Sequence, residues 1–355
     1  MSAVDLVLII LWVEGMAVLL AVVAVVGYAL FTRYESRRRR ARLTRARAML
    51  ARHFEDRSID ATEMTTLRLL SRSEVIRLYV DVASNVGGSE REWLRAVAIE
   101  LGLIDEAIAR TRSRRWWMRL SGARLLTLTG AEPEVMRQLL NDPEAIVRAQ
   151  AAGYVAQEPS ADGVAGVIGM LGDPSALPRF AAKDALMRLG ATATPLIVSR
   201  LGNLDDARTI SLLEVATATA SHAYMATAFA HVTDRRAEVR RLVARLFRGM
   251  GGAVAAAALT DMLRDDADVV REAAAEALGF LNYWPASPTV AGLLDDSVSR
   301  VRLAAALSLD RLGPPGELLL RRARVRGSNV AAMAARRILD DPSRLRGPIA
   351  TSATR

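Results

Sequence analysis

The chain has no cysteine in 355 residues, which excludes a thiolate nucleophile, a zinc–thiolate site and any disulfide framework. A body without disulfides fits a reducing compartment. Histidine is nearly absent too. Of His53, His222 and His231, the last two lie nine residues apart with no acidic partner at a useful spacing, so packed or solvated imidazoles are expected rather than metal ligands. No glycine-rich phosphate loop occurs: Gly249, Gly251 and Gly252 in "RGMGGAV" lack the following lysine and sit where an inter-helix turn is expected. Aromatic residues make up only 5% of the chain. Their main cluster, "RSRRWWMR", sets Trp116 and Trp117 among Arg112, Arg114, Arg115 and Arg119. One of two adjacent tryptophans on a helix is expected to face the core; the alternatives are an interfacial membrane contact or a stacking site. Tyr283 and Trp284 in "FLNYWPASP" are expected to pack in a turn between repeats. Catalysis has little to stand on, and no enzyme, cofactor or metal is expected.

What the chain has instead is repetition. "NDPEAIVRAQAAGYVA" from 141, "GDPSALPRFAAKDALMRLG" from 172, "TDRRAEVRRLVARLFRGMG" from 233, "DDADVVREAAAEALGFL" from 265 and "DDSVSRVRLAAALSLDRLG" from 295 share one grammar. An aspartate precedes an arginine by six residues: Asp142 and Arg148, Asp173 and Arg179, Asp234 and Arg240, Asp265 and Arg271, Asp296 and Arg302. Successive arginines lie 31, 61, 31 and 31 residues apart, so the 61 spans two units. The degenerate unit between them is "DDARTISLLEVATATA", in which Asp205 keeps the cap and Ser211 takes the arginine's place. A fixed period of this size marks an array of supersecondary units. Each aspartate is expected to accept hydrogen bonds from the free N–H groups of the first helical turn, with Pro143 or Pro174 behind it where no N–H is needed. Val269, Val270, Ala273, Ala274, Ala277, Leu278 and Leu281 then recur at helical spacing and form one buried stripe. Two short helices cannot bury that much apolar face alone, whereas stacked neighbours can.

The capping aspartate, the Val-Arg pair, the Ala-Ala step and the Leu-Gly ending resemble the HEAT and HEAT-like repeat family. Upstream, "SEREWLRAVAIELG" offers a Ser89 and Glu92 capping box before Arg95, and "SRRWWMRLSGARLLTLTG" places Ser113 six residues before Arg119. Downstream, "SNVAAMAARRIL" has lost both marks, as a terminal capping repeat would. The resemblance covers roughly residues 59–341 and implies an all-α, right-handed superhelical solenoid of helix pairs. It also implies that the aspartates and arginines form a ladder joining one repeat to the next, a structural role rather than a partner contact. The second helix of each pair resembles a concave lining. Positions one, five and eight after each ladder arginine share a face away from the apolar stripe. They read Arg241, Arg245 and Arg248, then Glu272 and Glu276, then Leu303 and Leu307, a candidate docking surface for a protein partner. An ordinary solvated face is the alternative.

The N-terminus carries the one long apolar run. "LVLIILWVEGMAVLLAVVAVVGYALF", residues 6–31, contains a single charge and exceeds the roughly 20 residues that span a bilayer as a helix. No Lys or Arg precedes it, and eight arginines follow between Arg33 and Arg47. The positive-inside rule then places residues 1–5 outside and all that follows in the cytoplasm. Segment 32–58 is expected to be a basic juxtamembrane stretch, with Arg37, Arg38, Arg39, Arg40 and Arg42 at anionic lipid headgroups. Residues 59–341 are the solenoid and 342–355 a flexible tail. Glu14, the charge inside the run, is expected either to meet a partner helix beside Gly15 and Ala17 or to snorkel to the interface.

Net charge separates the remaining alternatives. Residues 33–57 hold ten Arg against Glu35, Glu55 and Asp56, a balance of +7 within the chain's +9, which leaves about +2 for everything else. A near-neutral array argues against the HEAT-like nucleic-acid binders and DNA glycosylases, which need a basic face. A HEAT-like bilin lyase shares these repeats but sits poorly with the apolar run and the missing chemistry. The sequence therefore points to a single-pass protein of a bacterial inner membrane whose cytoplasmic solenoid binds a protein partner without catalysis. From the resemblance, it looks like an accessory subunit of a membrane enzyme such as a polysaccharide-synthesising glycosyltransferase, with no nucleic acid, metal or cofactor.

Overall fold

A computed structural model describes residues 3–56, 61–68, 70–84, 89–201 and 206–341, and among these there are helices and turns but no strand. The chain divides into two units, residues 1–113 with 124–131, and residues 114–123 with 132–355.

The first unit contains α1 (Ala3–Asp56), α2 (Ala61–Arg68), α3 (Arg72–Ala83), α4 (Ser89–Glu100), α5 (Leu103–Thr111) and the end of α6 (Trp116–Thr129). Ala46 and Met49 are buried where α1 packs on α3, and Arg47 pairs with Asp81 at 3.0 Å across the same contact. Glu74 accepts a bond from the Ser71 N–H at 2.9 Å at the start of α3, a cap that the sequence pattern did not flag. The side chain of Ser89, the other proposed cap, lies outside the described ones.

The expected membrane span is overturned: among the described residues no helix is long and apolar enough to cross a membrane. Helix α1 is one unbroken 54-residue element that runs on through the arginines. The single-pass inner-membrane location, with residues 1–5 outside, falls with the span. Arg37, Arg38 and Arg42 are exposed, and the Arg38 guanidinium stacks 4.6 Å from the Tyr34 ring centre. The side chains of Glu14, Arg39 and Arg40 lie outside the described ones.

The second unit opens with the first half of α6 and continues as helix pairs. They are α7 (Pro133–Leu139) with α8 (Ala145–Val155), α9 (Ala161–Gly169) with α10 (Ala176–Leu189), α11 (Thr194–Arg200) with α12 (Asp206–Thr219), and α13 (Met225–Ala230) with α14 (Ala237–Met250). Then follow α15 (Ala253–Met262) with α16 (Asp268–Phe280), α17 (Ser287–Gly292) with α18 (Ser299–Arg311), and α19 (Pro314–Arg326) with α20 (Asn329–Leu339). Second helices pack on one another in sequence, α8 on α10, α12 on α14, α14 on α16 and α16 on α18. Each element meets only near neighbours, as in a helical-repeat solenoid, so stability accrues repeat by repeat. Fully buried alanines such as Ala274, Ala275, Ala305 and Ala306 let α16 and α18 approach closely. Gly316 goes further: a Cβ there would lie 1.9 Å from the Leu309 carbonyl oxygen.

The period is written in the backbone. Gly190, Ala220, Gly251, Asn282 and Gly313 have φ of 50°, 47°, 71°, 56° and 70°, each turning the chain at the end of a second helix with the positive φ that glycine tolerates best. Their spacings of 30, 31, 31 and 31 residues fix the register of the degenerate repeat. Ser211, Leu212, Leu213, Val215 and Ala216 are buried as Leu242, Val243, Ala244, Leu246 and Phe247 are, 31 residues on. Thr209 therefore occupies the arginine position of α12, and Ser211 takes the place of a core leucine. The arginine position thus lies two residues before Ser211, and Asp205 lies outside the described residues.

Ala220 is the one alanine in that positive-φ series, and relief of its Cβ strain is worth about 1 kcal/mol. Ala220→Gly is expected to raise the thermal unfolding midpoint, whereas Gly316→Ala lowers stability by about 1–3 kcal/mol through backbone overpacking. Paired melting curves check both signs.

Candidate functional site

The aspartate does not cap its helix directly. Helix α8 begins at Ala145, and the Asp142 Oδ1 instead accepts from the Glu144 N–H, two residues on, at 2.9 Å. Asp173, Asp234, Asp265 and Asp296 do the same with Ser175, Arg236, Ala267 and Val298 at 2.8–2.9 Å. This turn orders the loop before the helix and leaves the rest of the carboxylate facing the preceding repeat.

That carboxylate receives the arginine of the repeat before. Arg148 donates from Nε and Nη2 to both oxygens of Asp173 at 2.6 and 2.8 Å, and from Nη1 to the carbonyls of Asp142 and Pro143 at 2.7 and 2.9 Å. Arg240 joins Asp265 at 2.7 Å twice, and Arg271 joins Asp296 at 2.7 and 3.1 Å, with Nη1 of each on the carbonyl of its own repeat's aspartate. Side-chain exposure is 12% and 7% for Arg148 and Asp173, and 15% and 6% for Arg271 and Asp296. So each aspartate and the arginine six residues later meet through a backbone carbonyl, while the ion pair runs to the next repeat, 25 residues on. Arg179 and Arg302 keep the carbonyl bonds at 2.7 Å.

The ladder has two further features. Arg119, beside the tryptophans, supplies an earlier rung, with Nε and Nη2 on Asp142 at 2.6 and 2.8 Å. Asp234 lies 25 residues after Thr209, where no arginine stands, and its carboxylate is taken by Arg236 of its own turn at 2.7 and 2.8 Å.

The bonds set the acid behaviour. The Arg236 guanidinium holds the Asp234 carboxyl down at about 2. Asp173 is lowered by the hydrogen bonds from Arg148. For Asp265 and Asp296 burial pushes upward, and the bonds from Arg240 and Arg271 with the loop N–H groups outweigh it.

The second-helix face is where the candidate docking residues lie. Arg241 is half-buried and ion-paired to Glu238 of its own helix, which holds its guanidinium more firmly charged. Arg245 is exposed and makes no ion pair among the described residues; Arg248 lies 4.5 Å from the Phe280 ring centre. Glu272 is half-buried and 3.3 Å from Arg300, which also pairs with Asp268. Glu276 and Leu303 are half-buried, and Leu307 is exposed. Lys183 pairs with Glu214 of the following repeat. Much of the charge is thus already matched between helices.

The sequence missed the apolar end of this face. Trp117, Ile146 and Leu177 each stand two residues before a ladder arginine and are 50%, 37% and 48% exposed, with Phe180 beside them at 72%. Trp116 is exposed as well, edge-on to Trp117 at 5.9 Å, so neither tryptophan turns into the core. Trp284 is also exposed rather than packed between repeats. The signal available was position: large apolar residues in a column that the ladder register places at the surface. Elsewhere, His231 bonds the Thr227 carbonyl through Nδ1 at 2.8 Å and His222 is exposed, while His53 lies outside the described side chains. Among the described residues no group of three or more His, Asp or Glu is placed to hold a metal ion.

No family model and no curated protein matches the chain. Among solved structures it is similar to human deoxyhypusine hydroxylase in complex with glycerol, at 16% identity over 67% of this chain and 95% of that one, TM-score 0.30. It is similar to Kap121p bound to Pho4p at 13% identity, over 83% and 39%, TM-score 0.48. It is also similar to the CpcE and CpcF complex of phycocyanin lyase from Nostoc sp. PCC7120 at 18% identity, over 65% and 91%, TM-score 0.30. At these identities and TM-scores the similarities carry no argument about activity or partners.

Arg271→Ala leaves Asp296 largely buried without its partner and is expected to cost on the order of 3 kcal/mol in unfolding experiments. Because the folded carboxyls titrate below their unfolded values, their stabilisation is complete above about pH 5 and is lost as pH falls toward about 2. Asp296→Asn should therefore lower stability at neutral pH and flatten the acid limb of a stability-against-pH curve.

Proposed function

We propose that the chain is a non-enzymatic scaffold whose second-helix face docks a protein partner. The observation that carries this is the change of character along one face in a fixed register: exposed Trp117, Ile146, Leu177 and Phe180 at one end, exposed Arg245 and Arg248 in the middle, Leu307 at the other. Aromatic, apolar and arginine side chains are the groups that dominate protein interfaces. The ladder arginines are excluded from it, since every one described bonds inside the array. The right-handed wind of the superhelix and the 59–341 extent of the array, both implied by the HEAT-like resemblance, belong to this reading.

Glu272 and Glu276 lie one repeat beyond the three arginines, which suits a partner of mixed charge better than a polyanion such as nucleic acid. No observation favours the glycosylase or bilin-lyase alternatives. The accessory role beside a membrane glycosyltransferase rested on the membrane span and is withdrawn with it.

Arg245→Glu with Arg248→Glu changes only exposed side chains and should leave the melting temperature unaltered while removing the partner that co-purifies with the wild-type chain. Retention of the same protein by the double variant removes this face from consideration.

A further inference from the structure

The last helix pair carries a second surface on its opposite side. A groove of about 380 Å³ opens between α17 and α19, floored by Ala291, Leu294, Leu319 and Ala331 and rimmed by Arg322 and Arg326. Its size suits one or two apolar side chains, at the lower end of ligand clefts. Leu318 and Val325, 69% and 77% exposed, extend the apolar surface along α19.

The charges around it are unbalanced. Neither Arg322 nor Arg326 forms an ion pair among the described residues, whereas Arg321 pairs with Glu317 and Arg324 with Asp340. The one carboxylate in the lining, Asp295, accepts the Ser328 hydroxyl. Residues 314–341 hold six Arg against Glu317, Asp340 and Asp341, a balance of +3. Two open guanidinium forks beside an apolar floor fit carboxylates bidentately. Residues 342–355, the adjoining segment of this chain, contain Arg344, Arg346 and Arg355 and no Asp or Glu, so like charge disfavours them as the occupant.

We infer that this groove binds a short acidic segment of a partner protein, with an apolar side chain on the Leu294 and Leu319 floor and neighbouring carboxylates on Arg322 and Arg326. The site is separate from the second-helix face and does not rest on it.

A displayed library of random short peptides, panned on the full chain, tests the inference. Enriched peptides are expected to place an apolar residue within a turn of Asp or Glu. Synthetic copies should lose at least about tenfold in affinity, or 1.4 kcal/mol, on the Arg322→Glu, Arg326→Glu chain at unchanged melting temperature. Arg322→Lys with Arg326→Lys should recover part of it. No enrichment, peptides without acid, or affinity indifferent to charge reversal overturns the groove. Loss on Arg245→Glu, Arg248→Glu instead places the peptides on the second-helix face, which overturns the groove and leaves the docking proposal standing. Tighter binding after truncation at Asp341 makes the chain's own tail the occupant, and equal binding of a single-stranded oligonucleotide makes the groove a general anion site; either result overturns the inference.

Discussion

The laddered repeats of the second unit depend on one guanidinium divided between two repeats. Arginine has five donors in a planar fork, and here Nε and Nη2 lie flat on the next aspartate while Nη1 points back to the loop carbonyls of its own repeat. The aspartate is divided in the same way, with its second function given to the N–H two residues on. A lysine could supply charge but not this two-directional planar geometry. The bond therefore does two jobs at once: it satisfies loop polar groups that the packing of helices would otherwise strand, and it fixes the distance and rotation from one repeat to the next.

The fork explains where the array is interrupted. Thr209 cannot reach across a repeat, so Asp234 turns to Arg236, and α12 packs on α14 with Leu212, Val215 and Ala216 fully buried. A one-dimensional stack weakens at its poorest interface. Among the described residues the boundary lies between one run of rungs ending at Asp173 and another beginning at Arg240. It also falls near the point where the second-helix face changes from apolar to charged, so the two halves of the proposed docking face belong to separately laddered runs.

The repeat, its period and the alternation of apolar positions were legible because they are local: helical spacing and a recurrent Asp and Arg need no knowledge of the fold. The direction of the ion pair was not, since an Arg148 six residues from Asp142 and 25 from Asp173 offers both partners, and only the packed array shows that the nearer one gives its carbonyl. Ser211 was misplaced for a related reason. A capping aspartate can slide by two residues along a loop, whereas the positive-φ residue that ends each helix cannot. Trp116 and Trp117 were expected to bury one ring, because burial is the usual fate of tryptophan; their exposure follows from Arg119, whose rung fixes the rotation of α6. The apolar run at the N-terminus was legible as composition only, and composition does not say where a helix ends.

The last rung accounts for the surface beyond it. Arg302 bonds its own loop at Asp296 and Ser297, and 25 residues on, where the next aspartate would stand, the chain has Gly327. The final pair is held instead by close packing of Gly316 on Leu309 and by Ser328 on Asp295. Once the register ends, an arginine on the next helices has no carboxylate appointed to it. Arg321 and Arg324 find local acids, but among the described residues Arg322 and Arg326 form no ion pair, and they line the groove between α17 and α19. The same economy that neutralises charge inside the array thus concentrates unmatched charge where the array stops, and there it becomes available to something other than this chain.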